Sequence, residues 1–115
     1  MDTRLEKALE FSKYMETLNN QKRILYSQFQ ENTIYYHGGG AFTITPALIS
    51  YIQNLVALGD KDIVLIDDNN NPIKIEDISE VLDKIVSCYK QSCQEYYTSY
   101  DSLRKNRSVE KIIND

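Results

Sequence analysis

The chain has 115 residues, with 13 Lys+Arg against 17 Asp+Glu for a net charge of −4, and it is 42% apolar and 26% charged. That balance suits one globular domain and excludes collagen-like, disulfide-framework and wholly disordered chains. Its mild acidity argues against a surface that binds nucleic acid all over, while leaving room for one basic patch.

Residues 2–31 are predicted as one long helix. Asp2 or Thr3 can cap it, and Thr3-x-x-Glu6 has capping-box spacing. Its apolar stripe runs Ala8, Phe11, Met15, Leu18, Leu25 and Phe29, with Lys22 as a polar break. The steps alternate between three and four, a coiled-coil-like heptad pattern. A helix this long needs another long helix against it, in the same chain or in a second copy. Residues 33–45 switch to strand character. Thr33-Ile34-Tyr35-Tyr36 and Phe42-Thr43-Ile44-Thr45 flank Gly38-Gly39-Gly40, which reads as a β-hairpin with a glycine turn.

Thr45 is placed as an N-cap and Pro46 as the first residue of a short helix over 46–58. Leu48, Ile52, Leu55, Val56 and Leu58 give that helix an apolar face, and Gly59 ends it. Residues 61–76 form a second predicted hairpin. Ile63-Val64-Leu65-Ile66 is its first strand, Asp68-Asn69-Asn70-Asn71 its turn, and Pro72-Ile73-Lys74-Ile75 the return. Asp77 opens a long helix over 77–106, again with capping-box spacing to Glu80. The stripe Ile78, Leu82, Ile85, Tyr89, Ser92, Tyr96, Ser99, Leu103 is aliphatic at its start and rich in Tyr and Ser at its end. Its first half is expected to pack on the β core and its second half to be wetter. A break near Asn106 to Ser108 leads to a short tail helix over 108–114. The expectation is therefore a single α+β domain over 1–115 in the order α-β-β-α-β-β-α, with two long amphipathic helices, paired antiparallel in part, flanking two hairpins and a short helix.

No apolar run reaches the ~18–20 residues that span a bilayer, so no membrane segment is expected. The opening MDTRLEKALE is charged from its second residue and lacks the apolar region of a secretory leader. Cys88 and Cys93 lie five apart, at about 140° around a helix beyond a full turn. They fit neither a zinc clip nor a redox pair, and reduced thiols are expected.

Several chemical motifs fail on inspection. His37-Gly38-Gly39-Gly40 resembles an esterase oxyanion segment, but the chain has no nucleophile elbow, and His37 is its one histidine. No Gly-Lys-Ser/Thr follows these glycines, so they make no phosphate loop. Asp67-Asp68-Asn69-Asn70-Asn71 suggests calcium, yet Pro72 stands where an EF-hand loop needs glycine and Ile78 where it needs glutamate. Turn chemistry explains the run better. The pairs Glu76/Asp77 and Glu80/Asp83 suit the positive end of a helix dipole. No catalytic residue, metal ligand or cofactor is expected, and a non-enzyme is favoured.

Nine Tyr and no Trp are the unusual feature of the composition. Tyrosine joins an apolar body to a polar tip and is enriched at protein interfaces. Tyr89, Tyr96, Tyr97 and Tyr100, together with Phe11, Met15, Leu18, Leu25 and Phe29, are the candidate partner-binding residues. Adjacent Tyr96 and Tyr97 cannot both face one neighbouring helix. Arg104, Lys105, Arg107 and Lys111 follow the tyrosines and form the one candidate nucleic-acid patch, weighed against ordinary solvation of a helix end.

The stretch Val64 to Ile75, then Ile78 to Ile85, resembles small uncharacterised proteins of tailed phages that infect cyanobacteria. The opening Met1 to Glu10 and the segment Arg104 to Lys111 are similar too. The resemblance implies a virus-encoded protein made in a bacterial cytoplasm, and it implies no activity. The expected function is protein–protein interaction or self-association, as a virion component or assembly factor. The alternative is a regulator that binds nucleic acid or the transcription machinery through the basic patch.

Overall fold

The structure, a computed structural model, describes residues 3–114, and the side chains of residues 3–106. The elements are α1 (Thr3–Asn32), β1 (Ile34–His37), β2 (Gly40–Thr43), α2 (Pro46–Ala57), β3 (Ile63–Ile66), β4 (Pro72–Ile75) and α3 (Ile78–Asn114). The order is α-β-β-α-β-β-α, with two antiparallel two-stranded sheets, β1-β2 and β3-β4. The cap expected at Asp2 lies outside the described residues. The expected break at 106–108 does not occur, and the segment predicted as a tail helix is the end of α3. That stretch holds neither glycine nor proline, and Asn106 and Ser108 cost a helix only about 0.5 kcal/mol each relative to alanine.

The chain packs as two compact units. Residues 29–94 form a hairpin unit, and the described residues before and after it form a helical unit. Both α1 and α3 contribute to each. The hairpin unit holds the core: Phe42, Ile44, Ile52, Leu65, Ile73, Ile75, Ile78, Val81 and Ile85 are all buried.

Local chemistry explains each element of this core. In the first hairpin Gly38 and Gly39 both have positive φ, 55° and 81°, which makes the two-residue turn that matches strand twist. Gly40 serves a different purpose. It is a strand residue, and a Cβ there would lie 2.5 Å from Ile73 Cγ1 and 2.8 Å from Cδ1. The first hairpin therefore seats its glycine directly on the second.

The N-cap of α2 is Thr45, whose Oγ1 accepts the Leu48 amide at 3.1 Å. The helix ends in a Schellman motif: the Gly59 amide donates to Val56 O and the Asp60 amide to Leu55 O. Leu58, expected on the apolar face, is 78% exposed because it follows the last turn and turns outward.

In the second hairpin the alternation is regular. Leu65, Ile73 and Ile75 point inward, and Val64, Ile66 and Lys74 outward. The Asp67 carboxylate organises the turn, with Oδ1 accepting the amides of Asn69 (3.0 Å) and Asn71 (2.8 Å). Its Oδ2 accepts the amide of Ala41 in β2 at 3.1 Å. The Asn71 amide above all, and those of Ala41 and Asn69, hold this carboxyl below its ordinary value against the opposing effect of burial. Asn70 takes φ 64°, the left-handed position for which asparagine is suited.

Asp77 caps α3, with Oδ1 accepting the Glu80 amide at 3.4 Å. Glu80 does not return the bond of a capping box but pairs with Lys84 at 3.0 Å, which raises the Lys84 pKa. The end of α1 has no glycine. Thr33 closes it by donating from Oγ1 to Phe29 O and Gln30 O, and α3 supplies further donors, Cys88 Sγ and Ser92 Oγ, to Asn32 O. Ser92, a polar break in the predicted stripe, is buried because it makes this bond.

Candidate interaction surface

Within the helical unit α1 and α3 lie antiparallel. Tyr26 meets Tyr96 with ring centroids 6.1 Å apart, and Lys22 Nζ sits 5.5 Å from the centroid of Tyr100. Lys22 is thus more than a break in an apolar stripe. Its ammonium lies over an aromatic face, where the ring quadrupole attracts it. Tyr96 and Tyr100 also meet edge to face at 6.4 Å.

The predicted stripe on α1 divides along its length. Leu18, Lys22, Leu25 and Phe29 are half-buried, joined by Tyr14 and Gln21, which the periodicity did not pick out. Ala8, Phe11 and Met15 are exposed. Leu5 and Leu9 are exposed as well, and no residue of α1 is buried. Phe29 and Tyr89, both candidate partner-binding residues, face each other edge-on at 6.1 Å inside the hairpin unit, where Tyr89 packs on the core. Tyr96 and Tyr100 are half-buried in the helical unit, whereas Tyr97 is 64% exposed. The adjacent tyrosines therefore point apart, as helix geometry requires.

Gln21, Ile24 and Leu25 of α1 and Ser99 and Leu103 of α3 line a shallow, mainly apolar hollow of about 190 Å³. Leu25 is the one predicted binding residue there. Ile24 was missed because it lies a step off the three-four stripe, yet it is 57% exposed at the rim.

The basic patch is partly neutralised. Asp101 receives both Arg104 (2.6 Å) and Lys105 (3.0 Å). The Lys105 hydrogen bond first, then Arg104, draws the Asp101 carboxyl below its ordinary value against some burial. Arg107 and Lys111 carry side chains outside the described residues. In the hairpin unit the Tyr35 hydroxyl is 3.2 Å from His37 Nδ1, with the two rings stacked at 5.9 Å. The two thiols are free, Cys88 half-buried and Cys93 exposed. Among the described residues no group of three or more His, Cys, Asp or Glu could hold a metal ion, and no helix is long and apolar enough to cross a membrane.

Comparison with family models, with curated proteins and with solved structures gave no match.

Proposed function

We propose that this chain is a non-enzymatic protein–protein interaction protein that docks through the helical unit. One observation carries the proposal: α1 has 30 residues and buries none of them. Leu5, Leu9, Met15 and Ile24 leave large apolar surface in water, and Tyr97 adds an aromatic side chain on α3. Exposed apolar surface in such quantity is the usual mark of a binding face. A second copy is the occupant to test first, because the exposed first part of the α1 heptad stripe, which includes Ala8 and Met15, can meet its own copy in an antiparallel pair. In the setting that the phage resemblance implies, the protein is a virion component or assembly factor made in the host bacterial cytoplasm.

Binding of nucleic acid through Arg104, Lys105, Arg107 and Lys111 has less support, since Asp101 offsets the first two. The test is light scattering coupled to size exclusion over a concentration series. The expected result is an oligomer that Leu9→Asp plus Met15→Asp returns to monomer, with the thermal transition of the core unchanged. A strict monomer at every concentration would overturn self-association through α1.

A further inference from the structure

The run Tyr96-Tyr97-Thr98-Ser99-Tyr100-Asp101-Ser102 in α3 is the longest unbroken series of weak helix formers in either long helix, seven residues in all. Aromatic residues lose side-chain freedom in a helix, and Thr, Ser and Asp offer the backbone competing hydrogen bonds. All seven are nevertheless helical. The first turns of α3 also contain weak formers, but there Ile78, Val81 and Ile85 are buried and hold the backbone in place. Among the described residues of α3, Ser92 is the last that is buried. From Tyr96 onward no burial supports the helix.

The support comes from across the seam. Tyr26 of α1 meets Tyr96, and one turn along, Lys22 of α1 lies over the Tyr100 ring. Leu25 and Leu103 are half-buried in the same seam. Asp101 adds local support by pairing with Arg104 and Lys105 at one-turn spacing, but both cations are exposed and such pairs contribute little. Contacts from α1 are therefore what keeps 96–102 helical. Those contacts are incomplete. The hollow lined by Gln21, Ile24, Leu25, Ser99 and Leu103 interrupts the seam, and α1 buries no residue of its own.

We propose that residues 96–102 are a conditional helix, and that they open together with residues 18–26 of α1 while the hairpin unit stays folded. Most helix stability in proteins comes from packing of a buried face, and regions that lack it open below the free energy of global unfolding. The two segments are coupled in both directions. When α1 lifts, 96–102 loses its ring contacts and its weak intrinsic preference takes over. When 96–102 melts, Leu25 and Tyr26 lose what they pack on. Tyr97 keeps its place on the outward face only while 96–102 is helical, so a partner that reads that face binds the closed state and shifts the balance toward it. This consequence rests on the docking reading above, whereas the opening itself does not.

The experiment is residue-resolved amide hydrogen exchange on the full chain. It is read at several protein concentrations and extrapolated to dilution, so that the result does not depend on whether the chain self-associates. Protection at 96–102 and at 18–26 is expected to be similar, and at least about a hundredfold below that of Leu82 and Ile85. Leu25→Ala, on α1, is expected to speed exchange about tenfold in both segments and to leave Leu82 and Ile85 unchanged. Tyr97→Ala with Ser102→Ala replaces two exposed weak formers by the best one and leaves the seam untouched. That double variant is expected to slow exchange about fivefold in both segments. Protection at 96–102 equal to that at Leu82 and Ile85 would overturn the proposal. A change confined to one segment in either variant would overturn it too, because the two helices would then open separately.

Discussion

The hairpin unit and the helical unit spend their apolar residues in opposite ways. The hairpin unit buries nine of them in one cluster, built from β2 with the adjoining Ile44, β3, β4, α2 and the first turns of α3. In the helical unit no described residue is buried, although Leu5, Leu9, Phe11, Met15, Leu18, Ile24 and Leu25 are all apolar. Two sheets and two helix faces enclose a side chain from several directions. Two antiparallel helices can cover only the seam between them, and each keeps an outward face. The hairpin unit is therefore where stability resides, and the helical unit is where surface is left for another molecule.

The contrast breaks most visibly at Ile85. This residue is fully buried where α3 meets the strands. Ile85→Ala is expected to cost about 2–5 kcal/mol, measured by urea unfolding. A cost no larger than that of Ile24→Ala, at an exposed site, would mean that the two units do not differ in packing. Gly40→Ala is the next test. The added methyl would stand 2.5 Å from Ile73 Cγ1. Ile73 and the backbone must shift, at about 1–3 kcal/mol for overpacking. Gly39→Ala probes another mechanism, since a Cβ there meets nothing within 4 Å and the strain comes from its positive φ alone.

Acid sharpens the comparison by acting on the turn of the second hairpin. The Asp67 carboxyl titrates below its ordinary 3.8 in the folded protein, chiefly because the Asn71 amide donates to its ionised form. Its contribution to stability is therefore present in full above that ordinary value and is lost as pH falls through the lowered one. Asp67→Asn removes the titration and turns an amide N–H toward one of the three backbone donors. The melting temperature of the variant is expected to lie below that of the wild type at neutral pH. The gap is expected to narrow once the pH drops below about 3.8. A constant gap from neutral to strongly acid pH would show that the charge on Asp67 is not what the turn requires.

Much of the fold is written in local chemistry that a sequence displays. Thr45-Pro46, Gly59, Asp77 and the Asp-Asn turn each act through groups within a few residues, so spacing alone places them. The missed features depend on distant partners. Gly40 reads as part of a flexible glycine run until Ile73 is set against it. Ser92 and Lys22 read as flaws in apolar stripes, because Asn32 O and the Tyr100 ring lie far away in the chain. The end of α3 failed for the converse reason: Asn106 and Ser108 resemble a cap, but weak helix formers do not stop a helix unless another local group competes for the backbone. The candidate surface was half legible. Periodicity found the seam residues Leu18 and Leu25, and it could not say that the same stripe is solvent-exposed at Phe11 and Met15.

The smallest expected effect separates two adjacent tyrosines. Tyr96 lies 6.1 Å from Tyr26 and 6.4 Å from Tyr100, centroid to centroid. Aromatic pairs of this kind contribute about 0.5–1.5 kcal/mol beyond the area they bury. Tyr96→Ala should therefore lower stability measurably. Tyr97, one step round the helix, is 64% exposed, and Tyr97→Ala should change stability by no more than about 0.5 kcal/mol. If the helical unit is a docking surface, the order reverses in a binding measurement for any partner that covers this end of α3. Tyr97→Ala then weakens association more than it weakens the fold, because its ring is desolvated only in the complex. Equal losses of stability in the two variants would place Tyr97 in the intrachain packing and remove it from the surface. A large association defect in Tyr97→Ala with an unchanged melting temperature would locate the partner on the outward face of α3, the face that α1 leaves open.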